Sequence, residues 1–181
     1  ELMDDTGTVW ACDRYAPRLK KLTENTNRLG LTSIHLWAGD SRMLSNSEQT
    51  NPSLAPGHAD RVLLDVPCSG LGTLHRHADA RWRQSPESVS ELTRLQSELL
   101  EEAMTWLKPG GRLVYSTCTL HPAENEEQIR QFLSHHPDWR IQPPTPHLAL
   151  EPFTCPEGWL KVLPHRHHMD GFFMVVLALR A

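Results

Sequence analysis

No stretch of this sequence approaches the roughly 18 consecutive apolar residues of a membrane-spanning helix, so a transmembrane reading is excluded. The opening segment, Glu1-Leu2-Met3-Asp4-Asp5, has no initiator Met, no basic patch and no apolar core, and so shows no signal peptide. An opening this abrupt leads us to expect that the chain begins inside a larger protein. A basic surplus is missing too: 18 Lys and Arg stand against 22 Asp and Glu, a net charge of −4 with His neutral. That does not favour bulk attraction to nucleic acid, so any such contact would have to come from a local basic patch. Cysteine is sparse, at Cys12, Cys68, Cys118 and Cys155. With no Cys-x-x-Cys pair, the pattern argues against a zinc ribbon or a small disulfide scaffold. Free thiols in a reducing, cytoplasmic setting are the simplest expectation. Low-complexity tracts and internal repeats are also absent.

What remains is a chain of 181 residues with 39% hydrophobic and 22% charged residues, which fits one soluble globular domain. Thr8–Cys12 is a short apolar run ending in Asp13. Leu19, Leu22, Thr26 and Leu29 then recur at helical spacing, with Pro17 suited to the first turn and Gly30 to the end. Ser33–Trp37 is the next strand, followed by Gly39-Asp40. Residues 45–58 read as a surface loop. Arg61–Asp65 is nearly continuous in apolar residues, as buried parallel strands are. Residues 69–85 show no period. Ser85-Pro86-Glu87 opens a helix striped by Leu92, Leu95, Leu99, Ala103 and Leu107, with Lys108-Pro109-Gly110-Gly111 as its terminator. Arg112–Cys118 is a further strand, and Pro122 opens a helix carrying Ile129, Phe132 and Leu133. Residues 137–158 look irregular, and Trp159–Leu163 and Phe172–Leu179 close the chain as an edge hairpin. The alternation predicts an α/β fold, a doubly wound and mostly parallel sheet.

In such sheets ligands sit beyond the carboxyl ends of the strands. Four strands here end on Asp13, Asp40, Asp65 and Cys118, which predicts one polar rim. Each Asp could equally cap its own turn, Asp40 in Gly-Asp-Ser-Arg above all. Asp13 suits a pair of ribose hydroxyls and Asp40 an exocyclic amine. Asp65-Val66-Pro67-Cys68-Ser69-Gly70 is the sharpest stretch, because Pro67 holds the backbone before Cys68 stiffly. Cys118 is expected on the same rim. Two neighbouring thiols without disulfide spacing point to covalent chemistry, the alternative being two buried structural cysteines. One reaction that uses such parts is methylation of cytosine carbon 5, itself a poor nucleophile. A thiolate adding at carbon 6 activates it, an acid near N3 assists, and a base then removes the carbon-5 proton so that the thiol leaves.

At these residues the chain resembles the Sun-type RNA (cytosine-5)-methyltransferases, most closely their bacterial 16S ribosomal RNA branch. The stretches that carry the resemblance are Asp65–Gly70, Ser116–Asn125, Arg76–Trp82 and Asp170–Phe173. The resemblance implies a Rossmann-like S-adenosylmethionine-dependent methyltransferase sheet, mostly parallel with an antiparallel edge hairpin. It makes Cys118 the nucleophile, Cys68 the group that helps release product, and Asp65 a contact to the target base. S-adenosylmethionine is implied as cofactor, held by Asp13 and Asp40, with Asp65 counted alongside them. RNA, with 16S ribosomal RNA as the expected species, is the implied partner of a monomer, with no metal and no membrane. The family's first strand and its Gly-rich cofactor loop find no counterpart in the sequence and are expected to precede residue 1. The chain is therefore expected to be a methyltransferase catalytic domain over 1–181, N-terminally truncated, with a gap between the strands near Asp13 and Asp65. The relatives' N-terminal RNA-binding domain is not in the chain either. Ala78 and Arg81 stand where those relatives carry Pro and Lys.

Arg76, Arg81 and Arg83, interleaved with His75, His77 and Trp82, form the one local basic and aromatic cluster. It could meet RNA phosphates or stack a base, or it could be a solvated loop that packs Trp82 onto the domain. His165-Arg166-His167-His168 reads as a hairpin turn rather than a metal centre, since neighbouring His residues in a turn rarely share one ion. Two rival functions stay open. One is an inactive remnant lacking the cofactor loop. The other is a dinucleotide-dependent oxidoreductase, in which Asp13 would serve a ribose equally well.

Overall fold

The computed structural model describes residues 2–46 and 55–180. The chain divides into two compact units, meeting in sequence at Ala55 and Pro56. The first unit contains β1 (Val9–Asp13), α1 (Ala16–Leu29) and β2 (Ile34–Ala38). The two strands pair in parallel, from Val9 opposite Ile34 to Asp13 opposite Ala38. Helix α1 buries Leu19 and Thr26 and leaves Leu29 exposed. It ends at Gly30, whose φ of 66° is the left-handed conformation that glycine adopts without steric cost. Ahead of β1, the Asp5 carboxylate accepts from the backbone N–H of Thr32 and Ser33, fastening the segment that enters β2. A side-chain hydrogen bond from Ser33, followed by these backbone bonds, holds its pKa well below the usual carboxylate range. The predicted loop over 45–58 falls mostly on residues 47–54, outside the described residues.

The second unit holds β3 (Ala59–Asp65), α2 (Ala80–Arg83), α3 (Pro86–Thr105), β4 (Leu107–Thr117), α4 (Glu126–His135), β5 (Trp139–Ile141), β6 (Leu160–Val162), α5 (Pro164–His167) and β7 (Phe172–Leu179). Strand β3 runs parallel to β4, and β7 runs antiparallel to β4, β5 and β6. The strand order is β3-β4-β7-β5, with β6 also on β7. The sheet is thus mixed α/β, parallel at one side and antiparallel at the other. The predicted closing hairpin is β6 with β7. Its second strand lies inside the sheet, because β5 and β6 share its outer side. Its core is built by Leu100, Leu113, Tyr115, Ile129, Phe173 and Leu177, all fully buried.

Three local expectations need correction. Strand β3 is not buried on both faces: it is an edge strand of its sheet, and Leu63 is 71% exposed. Lys108-Pro109-Gly110-Gly111 does not end α3, which stops at Thr105. These residues lie within β4, where the ladder to β3 jumps from Leu107–Ala59 to Arg112–Arg61. The Gly-rich turn signal is absorbed as an irregularity inside a strand, one of the places strand glycines mark. The third is β5, in a stretch read as irregular. Three residues carry too little periodicity to detect, and pairing with β7 makes the strand. The α3 start is as predicted: the Ser85 hydroxyl accepts from Ser88 N–H, and the Ser88 hydroxyl accepts from Ser85 N–H.

Candidate active site

Parallel pairing sends β3 and β4 out of the sheet at the same end, with Asp65 opposite Ser116. Each strand then runs into a cysteine loop, Val66-Pro67-Cys68 from β3 and Cys118-Thr119 from β4. The result is a contact between the two thiols, with Cys68 Sγ 3.4 Å from Cys118 Sγ. Both side chains are half-buried. Asp65, at the end of β3, accepts a 2.9 Å hydrogen bond from the Ser116 hydroxyl. The structure therefore brings together the three residues predicted to carry chemistry: Asp65, Cys68 and Cys118.

The two thiols are not equivalent. A hydrogen bond from Cys68 stabilises the Cys118 thiolate and brings the Cys118 pKa down to about 7, against burial and the nearby Asp65 charge. The same contact, with burial, pushes the Cys68 thiol up strongly. Cys118 is the one cysteine among the described residues shifted towards its reactive, ionised form.

A buried polar network lies directly beneath the thiols. The Glu124 carboxylate is fully buried and accepts from Ser69 N–H at 2.8 Å, from the Ser69 hydroxyl, and from Gln96 Nε2 at 3.0 Å. Gln96 Nε2 also donates to the Pro67 carbonyl. The Ser69 hydroxyl lies 2.7 Å from the Thr119 hydroxyl, next in sequence to Cys118. Asn125 completes the network by accepting from Thr117 Oγ1 and donating to the Thr119 carbonyl. A second tie is backbone only: Gly72 N–H donates to the Cys118 carbonyl, and Gly171 N–H donates to the Gly72 carbonyl. A Cβ on Gly72 would lie 2.2 Å from the Gly171 carbonyl oxygen, so this approach requires glycine. Sequence reasoning assigned no role to Glu124, Gln96, Ser69 or Gly72. The available signal was Gln96, a polar residue at the buried spacing of an otherwise apolar helix face.

Asp13 and Asp40 lie in the first unit, at the carboxyl ends of the parallel strands β1 and β2, where Gly39 N–H also donates to the Asp13 carbonyl. The strand-end expectation thus holds within each unit. Asp13 accepts from Tyr15 N–H at 2.7 Å and faces Arg18 at 3.5 Å. Asp40 accepts from the Arg42 guanidinium and backbone N–H, which take its pKa down to about 2. It is therefore a turn-capping Asp as well as a strand-end acid. Both carboxylates are partly exposed and keep lone pairs for further donors, so they fit a cofactor that offers hydroxyl or amine hydrogens.

The basic cluster divides. Arg76 pairs with Asp170, which His75 also contacts at 3.1 Å, and Arg83 pairs with Asp79 at 2.9 Å. Arg81 is exposed and makes no ion pair among the described residues. Trp82 is 84% exposed, which overturns the alternative in which the loop packs it onto the domain. In the His-rich turn, His167 Nδ1 accepts from Leu163 N–H, and no group of three or more metal-ligating side chains occurs among the described residues.

A profile of the 16S rRNA methyltransferase RsmB/F family matches residues 1–178. The chain is 50% identical over 182 aligned positions to a probable ribosomal RNA small subunit methyltransferase B of Synechocystis sp., covering 98% of this chain and 39% of the relative. It is 36% identical to the corresponding probable methyltransferase of Bacillus subtilis, covering 96% and 38%. Among solved structures, NSun6 from Pyrococcus horikoshii with SFG superposes with a TM-score of 0.78 at 28% identity, covering 98% of this chain and 43% of that one. The chain thus spans about two fifths of the length of the curated relatives it matches. Matched over nearly its whole length, the chain belongs to the 16S rRNA methyltransferase RsmB/F family.

Proposed function

We propose that the chain is the catalytic part of an enzyme that methylates carbon 5 of a cytosine in ribosomal RNA, 16S RNA being the expected species, through a covalent adduct with Cys118. The observation that carries this reading is the pair of thiols 3.4 Å apart beside Asp65, a contact that favours the Cys118 thiolate. Asp13 and Asp40 would hold S-adenosylmethionine through its ribose hydroxyls and adenine amine. When bound, that cofactor supplies an electrophilic methyl group. Cys118 adds as thiolate to carbon 6 of the base, which makes carbon 5 nucleophilic. Asp65 faces the polar edge of the base near N3. Cys68 assists the closing step, in which the carbon-5 proton is lost and the Cys118–carbon bond breaks. The electrostatics support this order. Before attack, the contact with Cys118 is the largest cause holding the Cys68 proton on. Once Cys118 is a thioether that contact no longer opposes ionisation, so Cys68 becomes a better base when a base is needed. Arg81 and Trp82 offer a cation and an aromatic face to the RNA.

The test uses a chimera in which this chain replaces the matching segment of the Synechocystis relative, given labelled RNA and S-adenosylmethionine. Cys68→Ala should accumulate RNA on Cys118 as a slow band in denaturing gels. Cys118→Ala should form neither band nor product, and the double variant should trap nothing, excluding an adduct at Cys12 or Cys155. Trapping by Cys118→Ala instead would reverse the two roles. If both single variants remain active and trap nothing, the covalent mechanism is wrong.

A further inference from the structure

The mechanism above uses both thiols and Asp65 but leaves unused a fully buried carboxylate beneath them, Glu124. A buried carboxylate is expensive unless its oxygens are fully engaged, and engaged it fixes its surroundings. The Glu124 carboxylate is engaged by Ser69, beside Cys68, and by Gln96 of α3. Oε1 accepts from Ser69 N–H and from Gln96 Nε2; Oε2 accepts from the Ser69 hydroxyl. Because the Ser69 hydrogen goes to Glu124, the 2.7 Å contact with Thr119 leaves Thr119 as donor. One relay thus runs from Thr119, beside Cys118, through Ser69, beside Cys68, to Glu124. Gln96 ties the same carboxylate to the carbonyl of Pro67, on the other side of Cys68. Cys68 is therefore gripped from both flanks, and Cys118 from its C-terminal flank, by groups that converge on a single side chain.

We infer that Glu124 is a positioning residue, whose carboxylate sets the separation of the Cys68 and Cys118 thiols by fastening Ser69 and Thr119 together. The inference rests on the proposed reading of those thiols as a working pair. A Gln side chain at this position has the same length. Its oxygen keeps the bonds from Ser69 N–H and Gln96, its amide donates to the Ser69 hydroxyl, and the Ser69 hydrogen turns to Thr119. An Asp side chain keeps the charge but is one methylene short of spanning Ser69 and Gln96.

Phenylarsine oxide measures thiol separation directly, without cofactor or RNA. Two As–S bonds replace the arsenic–oxygen bond, the two thiol protons leave with that oxygen as water, and arsenic stays trivalent. Intact mass and protection from alkylation report capture at Cys68 and Cys118, with Cys12 and Cys155 still alkylated. The wild-type chain should capture one equivalent, Glu124→Gln should match it within about threefold, and Glu124→Asp should lose at least about tenfold in affinity. Tyr115→Phe is the control for general loosening: it removes the bond to the Glu124 backbone carbonyl but leaves the carboxylate relay intact, and should capture normally even where melting is lowered. Should Glu124→Asp lack a cooperative melt, Ser69→Ala is read instead, with an expected loss of at least about threefold. The inference is overturned if the wild type captures nothing, if the variant read captures like wild type, or if Tyr115→Phe loses as much as Glu124→Asp. Capture by wild type alongside a chimera that never traps RNA would sink the proposed reaction and leave the positioning role standing.

Discussion

At the scale of single residues, the asymmetry between two adjacent thiols is the most consequential property of the site. A thiol reacts with alkylating agents as its thiolate, so reactivity rises as pH passes upward through the pKa. With Cys118 brought from 9.0 to about 7 and Cys68 moved the other way, iodoacetamide should modify Cys118 first, with a midpoint near pH 7. Removing the donor should reverse the shift: in Cys68→Ala the Cys118 midpoint moves to higher pH, because the lost hydrogen bond favoured the charged form. Mass mapping of alkylated peptides across pH 5–9 checks both statements. A Cys118 midpoint unmoved by Cys68→Ala would mean that the thiol contact does not control its ionisation. The parts of this site that were legible were those whose residue type announces chemistry: Asp65, Pro67-Cys68 and Thr117-Cys118. Glu124 and Gln96 were not, because their partners lie 55 and 28 residues away and only the tertiary fold brings them together.

At the scale of elements, sequence periodicity located strands and helices wherever a pattern ran long enough. It failed where pairing alone made the element, as in β5, or where glycines sat within a strand, as in β4. Strand-end acids were legible by position, but Asp13 alone left a dinucleotide oxidoreductase open, and the family match closes that alternative. The loop around α2 shows why charge counting is coarser than structure. Three arginines were grouped there, yet Arg76 and Arg83 answer to Asp170 and Asp79. In the proposed RNA contact, Arg81 should therefore dominate. Arg81→Gln in the chimera should flatten the dependence of RNA affinity on salt by about one phosphate contact, more than Arg83→Gln does. Trp82→Ala should weaken binding by about 1–3 kcal/mol at every salt concentration if its exposed ring stacks a base. Filter binding over a salt series separates the two effects, and an unchanged slope in Arg81→Gln would remove the cluster from the interface.

At the scale of the whole molecule, the chain matches about two fifths of its curated relatives, and the cofactor contacts proposed here come from Asp13 and Asp40. Calorimetry should find S-adenosylmethionine bound more weakly by this chain alone than by the chimera; equal, tight binding would show that these 181 residues supply the whole cofactor site. The strand order carries a consequence of another kind, one of timing. Strand β7 comes last along this sequence, yet it stands between β4 and β5 in the sheet. During synthesis β3 and β4 emerge with no neighbour for one side of β4, and the core around Tyr115 and Leu113 cannot close until Phe173, Val175 and Leu177 arrive. Pairings this distant along the chain form slowly and leave an open strand edge meanwhile. The sheet of the second unit can therefore be completed only once its last strand has been made.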